Sequence, residues 1–200
     1  MSGLRIIAGR FRGRVVASPV DPGSRPLLAR IRRSLGDRLQ PELEGAGVLD
    51  LFAGSGIVGL ELLSRGAAAV TFVDSSPRAV ESIRATLATF HVERPAGWAV
   101  AGDALRPDRW VDPGLPGSPW SLVFVGTPYR LAATPEGRHR LVAALGALRC
   151  QGAVRPGATL VLQFEPDAPV DLASAGWTAM DAGGTISGRT GLSRWRAQPP

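Results

Sequence analysis

The chain of 200 residues has no lysine: all 23 basic residues are arginine. It has one cysteine, two histidines and one tyrosine. A lone cysteine excludes an internal disulfide framework, and within the apolar run from Leu141 to Leu148 and on to Cys150 it is expected to pack rather than react. His91 and His139 share no ligand spacing with each other or with Cys150, so no metal site is expected and each reads as a polar helix residue. No apolar stretch approaches the roughly 20 residues that span a bilayer, and the first residues lack the apolar core of a signal peptide. The expectation is a cytoplasmic protein with no membrane partner, acting as a monomer.

What is present is unevenly placed. Residues 1 to 33 contain Arg5, Arg10, Arg12, Arg14, Arg25, Arg30, Arg32 and Arg33 against Asp21 alone, a surplus of +7 in a chain of net charge +6. The rest is close to neutral. A basic arm on a near-neutral body suits a polyanion, and guanidinium groups stack on bases and grip phosphate through a planar fork. The plainer alternatives are a solvated charge run and a coding bias toward arginine.

An apolar share of 44% is enough for one core. Leu4 to Gly9 and Gly13 to Ala17 read as two short strands about a basic turn, and Leu28, Ile31, Leu35 and Leu39 recur at helical spacing with Arg30 and Arg33 on the flanks. Residues 1–45 are therefore expected as an N-terminal arm of hairpin plus helix, and residues 46–200 as the main domain. From Val48 onward strand and helix patterns alternate: strands at Val48–Phe52, Val70–Asp74, Trp98–Ala101, Ser121–Val125 and Thr159–Gln163, helices at Ile57–Arg65, Pro77–Phe90 and Glu136–Arg149. That order predicts an α/β fold with a doubly wound, mostly parallel sheet. Residues 111–119 are expected as a surface loop. Trp177, Ile186, Leu192 and Trp195 could supply final antiparallel strands, interrupted at Gly183-Gly184 and Ser187-Gly188.

Gly54-Ser55-Gly56-Ile57-Val58-Gly59 is a G-x-G-x-x-G turn between a strand and a helix, with Asp74 twenty positions after Gly54. The pattern fits a nucleotide-like ligand whose ribose hydroxyls bind the second acid. Asp50 decides between ligands, because a carboxylate at the end of the first strand repels a pyrophosphate and attracts the ammonium of S-adenosylmethionine. Asp103 follows the third strand, where resemblance of this turn to class I methyltransferases implies an acid facing the adenine end of the same ligand. Both Asp74 and Asp103 could instead be ordinary turn or helix caps. Cofactor-binding candidates are Asp50, Phe52, Ala53, Gly54, Ser55, Gly56, Asp74 and Asp103.

Asp50 to Gly56 resembles the first motif of class I methyltransferases. With Arg5 to Gly9, Arg12-Gly13-Arg14, Arg25-Pro26 and Leu63-Ser64-Arg65-Gly66-Ala67-Ala68, the chain is similar to the RsmD family. That resemblance implies a Rossmann-like fold and S-adenosylmethionine-dependent methylation of a guanine exocyclic amine in 16S ribosomal RNA. It also implies a ribosomal RNA or small-subunit partner. The family's fourth strand ends in Asp or Asn, Pro, Pro, Tyr; here the residues are Gly126, Thr127, Pro128 and Tyr129. Thr127, Pro128 and Tyr129 are thus the catalytic candidates, Tyr129 stacking on the base and Thr127 partly replacing the missing side chain. Further departures are Leu27 to Ala29 before Arg30, Arg32-Arg33 for Arg-Glu, and Ser187-Gly188-Arg189-Thr190 for Tyr-Gly-Asp-Thr. RNA-binding candidates are Arg5, Arg10, Arg12, Arg14, Arg25 and Arg30. The competing expectations are a non-catalytic relative that binds RNA or an assembling subunit, and a methyltransferase acting on another substrate such as DNA.

Overall fold

The computed structural model describes residues 4–17, 27–181, 185–187 and 190–199. Its centre is a parallel run of strands, β3 (Gly47–Leu51), β4 (Ala69–Asp74), β5 (Gly97–Ala101), β6 (Trp120–Gly126) and β7 (Val154–Phe164). They lie in the order β5-β4-β3-β6-β7. The sheet continues antiparallel through β10 (Thr190–Ala197), which pairs with β7, with β8 (Trp177–Ala179) and with β9 (Thr185–Ser187). Helices α2 (Ile57–Ser64), α3 (Pro77–Thr89) and α5 (Pro135–Cys150) are the crossovers, and a single turn, α4 (Tyr129–Ala132), follows β6. The predicted doubly wound α/β architecture is present, with the C-terminal antiparallel strands that the sequence only hinted at.

β3 is buried at all five positions, as expected of a strand covered on both faces. Two apolar clusters flank the sheet. One gathers Val48, Leu60, Phe72 and Ile83; the other gathers Leu49, Trp120, Leu145 and Trp177. The first also takes in Ile6, Phe11 and Val16 of the hairpin and Ile31, Leu35, Leu39 and Leu43 of α1 (Ala29–Leu43). The basic arm therefore shares the core of the main domain. α1 runs through Pro41 to Leu43, beyond the last apolar position of the sequence pattern. Leu28, expected on its apolar face, is exposed, and Leu27 is buried in its place.

The hairpin itself is slight. Strands β1 (Leu4–Arg5) and β2 (Val15–Val16) pair over two residues each, far too little to stand alone in water. It is held by α2. Glu61, 2% exposed, accepts from the main-chain amides of Ile7 at 2.7 Å and Ala8 at 3.1 Å and from Arg65 Nε at 3.0 Å. Ser64 Oγ accepts from the Phe11 amide and donates to the Ala8 carbonyl, while the Ser64 carbonyl accepts from the Arg10 amide. Gly9 is required here: at φ +77°, a Cβ would lie 1.8 Å from the Ser64 carbonyl oxygen. From the other side Arg32, 4% exposed, donates to the carbonyls of Leu27 and Arg5 and ties α1 to the hairpin. Burial lowers the Arg32 pKa, and the charge of Glu61 opposes that shift.

Three smaller expectations are corrected. Cys150 is exposed, because α5 turns Leu141, Ala144, Leu145 and Leu148 inward and Cys150 falls off that face. His91 stands past the end of α3 in a turn at φ 54°, not in the helix. The loop at 111–119 is partly interior, since Leu115 and Pro116 are buried and the Pro116 carbonyl accepts from Thr71 Oγ1 and Trp120 Nε1.

Removing Glu61 leaves two hairpin amides without an acceptor in a buried place and Arg65 with Asp37 alone, so Glu61→Ala is expected to cost about 3 kcal/mol. Urea unfolding of both proteins measures it; a loss within about 0.5 kcal/mol, as for a surface change, would refute the anchoring role.

Candidate active site

The strand order reverses between β3 and β6, and the chain leaves the carboxyl ends of both strands there. Open α/β sheets bind their ligands at such a switch point. Leu51 and Val125 are register partners, so Phe52 to Gly56 and Gly126 to Tyr129 emerge side by side. A Cβ added at Gly126 would sit 3.4 Å from the Phe52 carbonyl oxygen and 3.4 Å from Phe124 Cε1, ordinary contact distances.

The turn after β3 is built from left-handed residues: Phe52 at φ 56°, Gly54 at 56° and Gly56 at 71°. Two of the three are glycine, for which this conformation carries no penalty. Phe52 carries a Cβ, and such strain persists where the surroundings enforce it, a recurrent property of functional turns; its neighbour Ala53 is fixed by its main-chain amide, which donates a hydrogen bond to the Val73 carbonyl at 3.1 Å. Ala53 and Gly54 are half-buried, and Ser55 and Gly56 are buried.

Asp74 ends β4 and secures the turn. Its Oδ2 accepts from the Gly54 amide at 2.7 Å and its Oδ1 from the Ser76 amide at 2.8 Å. The N-cap of α3 is Ser76, whose Oγ accepts from the Ala79 amide. Each Asp74 oxygen keeps further acceptor capacity, so binding the turn does not preclude binding a ligand. Asp103 is exposed after β5, and its Oδ1 accepts from the Leu105 amide in a local turn. Trp110 buttresses it by donating to the Asp103 carbonyl at 2.9 Å.

Asp50 differs most from the sequence-based picture of an open carboxylate. It is 1% exposed, and Oδ2 accepts from the Gly59 amide at 2.9 Å. Desolvation raises its pKa to about 8, against the opposing pull of the Gly59 amide. Gly59 permits the contact, since a Cβ there would meet Phe72 Cε1 at 2.4 Å and Asp50 Oδ2 at 2.9 Å. The carboxyl thus fixes the first turn of α2 behind the glycine loop, and it ionises fully near neutral pH only with positive charge brought beside it.

In the bend after β6, Gly126 and Tyr129 are half-buried, Pro128 is exposed and Thr127 is 8% exposed. Thr127 Oγ1 is buried without a hydrogen-bond partner. The hydroxyl expected to replace part of the missing side chain is thus present beside Gly126, buried and unpaired among the described residues.

The arginine candidates separate. Arg5 donates to the Gly13 carbonyl within the hairpin, Arg10 lies 4.5 Å over the Phe11 ring, and Arg14 donates to the Thr89 carbonyl and lies 4.2 Å over Phe90. Arg12 and Arg30 are exposed and make no ion pair among the described residues. Arg25, like Gly183, Gly184, Gly188 and Arg189, lies outside the described residues. Glu61 and Arg65 escaped the sequence reading; a carboxylate and a guanidinium four apart on an apolar helix were the available signal.

Two measurements follow from this site. Because the native state holds a proton on Asp50 that the unfolded chain releases above about pH 4, this residue lowers stability as pH rises from about 4 to about 8 and no further above that. Asp50→Asn should remove that slope, so unfolding free energies at about pH 5 and about pH 8 should converge in the variant; parallel slopes would show that Asp50 is not its source. Thr127→Val, which deletes an unpaired buried hydroxyl, should raise stability by about 1 kcal/mol, and a loss of that size would mean the hydroxyl has a partner in solution.

Comparison with known proteins follows the same lines. Residues 4–192 match the family described as Conserved hypothetical protein 95. Ribosomal RNA small subunit methyltransferase D of Escherichia coli strain K12 is 31% identical over 177 residues, covering 88% of this chain and 81% of that protein. The Haemophilus influenzae protein of the same name is 28% identical over 181 residues, covering 88% and 86%. The solved yhhF chain of Escherichia coli superposes with a TM-score of 0.77 at 27% identity over 100% of both chains. Magnesium protoporphyrin IX methyltransferase of Synechocystis shares the fold at a TM-score of 0.62 and 17% identity, over 84% of this chain and 79% of that one. With the match running from the hairpin to the last strand, the chain belongs to the Conserved hypothetical protein 95 family, the RsmD family that its motifs pointed to.

Proposed function

We propose that this chain transfers a methyl group from S-adenosylmethionine to the exocyclic amine of a guanine in small-subunit ribosomal RNA. The observation that carries the proposal is the juxtaposition at the switch point, where the glycine turn backed by Asp74 adjoins the Gly126 to Tyr129 bend. Membership of a family whose relatives are named small-subunit ribosomal RNA methyltransferases supports it.

The donor set fits S-adenosylmethionine. A carboxylate at the end of β4 suits ribose hydroxyls, the glycine turn admits close backbone approach, and the carboxyl of Asp50 suits a cationic neighbour better than a phosphate. When bound, S-adenosylmethionine supplies an electrophilic methyl carried on a sulfonium. Asp74, with Phe52 to Gly56, would hold it, and Asp103 would face its base. Tyr129 offers a ring on which a flipped-out base stacks. Thr127 and Pro128 shape the bend, and main-chain carbonyls there would accept hydrogen bonds from the amine and keep its lone pair in line. Such positioning is worth orders of magnitude in rate.

One observation favours a second reading. With no side chain at Gly126 and the Thr127 hydroxyl buried, the amine has fewer acceptors than the family pattern supplies. The alternative is a weakly catalytic or inactive relative that binds ribosomal RNA or an assembling subunit.

Methyl transfer from labelled S-adenosylmethionine to small subunits lacking the modification separates the two. The native chain should label one guanine. Gly126→Asp, whose Cβ the structure accommodates, should raise turnover about tenfold or more by restoring an acceptor. No labelling by the native chain, with S-adenosylmethionine still bound in calorimetry, would replace the first reading by the second.

A further inference from the structure

A cleft of about 230 Å³ lies between the hairpin, α1 and the end of α2, lined by residues 7–9 and by Arg12, Arg33, Asp37 and Arg65. None of the residues at the switch point lines it. We propose that this cleft is a phosphate site, formed by the Arg12 and Arg33 guanidinium groups over a floor made by Arg65, and that it takes one backbone phosphate of the RNA. The proposal rests on the RNA reading above for its ligand.

The charge is arranged for an anion. Arg65, its side chain 5% exposed, is committed to Glu61 at 3.0 Å and to Asp37 at 2.8 Å. Three guanidinium groups against two carboxylates leave a net single positive charge, which Arg12 and Arg33 supply. Both are exposed and unpaired among the described residues. By contrast Arg5, Arg10 and Arg14 of the same arm are engaged with their own carbonyls and rings. Two unpaired guanidinium groups lining one cleft offer paired N–H donors that match phosphate oxygens, and arginine rather than lysine supplies that fork.

The walls are fixed before any ligand arrives. Gly9 is pressed on the Ser64 carbonyl, so the hairpin wall cannot draw away from α2 without breaking that packing. Gly36, within α1, leaves the space through which Arg65 passes, since a Cβ there would lie 2.4 Å from Arg65 Nε. A preformed site loses less entropy on binding. This gives Arg33 a role that the charge of the arm alone did not single out, and it reduces that of Arg14.

The test compares the native chain, the double variant Arg12→Gln with Arg33→Gln, and Arg140→Gln, an exposed arginine on α5 that controls for charge alone. The probe is an unmodified small-subunit ribosomal RNA transcript, titrated across a range of salt. Losing one neutralised phosphate should lower the salt slope by about one and weaken binding at every salt concentration, with Arg140→Gln close to native. Melting without ligand should stay native-like in the double variant, and Arg33→Lys, which keeps the charge and loses the fork, serves should it not. Equal affinity and slope in native chain and double variant would overturn the proposal and leave the RNA reading standing. If the native chain binds no RNA, the RNA reading fails and inorganic phosphate at constant ionic strength decides the cleft. Protection of the native chain against melting that the double variant lacks would uphold an oxyanion site; equal melting would overturn it.

Discussion

The seating of the hairpin on α2 turns on one buried carboxylate. Glu61 projects from α2 to where the hairpin amides of Ile7 and Ala8 and the guanidinium of Arg65 satisfy it, and Arg65 also reaches Asp37. Ion pairs in such surroundings contribute little net stability against an apolar replacement, because desolvation offsets their attraction. Their value lies in direction. A hairpin paired over two residues per strand is thereby fixed against α2 and shares the core of the main domain.

The same helix serves both faces. The amino end of α2 carries the glycine turn, with Gly59 locked to Asp50. The carboxyl end carries Glu61 and Ser64, which receive the hairpin, and leads into Arg65, which forms the floor of the arginine cleft. Eight residues, all buried, join the glycine-turn side of the molecule to the side that carries the arginine cleft. That is the physical content of the tract from Asp50 to Ala68: the first half needs glycine for a turn, and the second half needs a small residue, an acid and an arginine for a dock.

Much of this was legible beforehand because it rests on local rules. Period-two and period-3.6 apolar patterns marked the strands and helices to within a residue or two at most ends, and the glycine spacing placed the turn at the end of β3. Positions that depend on what lies opposite were not legible. Leu27 and Leu28 are chemically identical, and only docking against the hairpin decides which is buried. Cys150 follows an apolar run yet leaves the buried face of α5 by two positions. Asp50 reads as an open carboxylate in sequence, whereas packing of α2 across β3 and β4 removes its water and raises its pKa.

The charge of the arm shows the division most clearly. Composition established that the positive surplus lies before residue 34 and that all of it is arginine, which sets the kind of partner such an arm suits. Which arginines remain available was a tertiary matter. Arg32 is spent on bolting α1 to the hairpin, Arg14 on the end of α3, and Arg12 and Arg33, distant in sequence, line one cleft because Glu61 and Ser64 hold the hairpin against α2. The sequence by itself determined the fold class, the glycine turn after β3 and the altered motif after β6, since each is encoded in contiguous residues. The burial of Asp50, the buried Thr127 hydroxyl and the arginine cleft were decided only by the tertiary structure, because desolvation and convergence depend on neighbours that the chain brings together by folding.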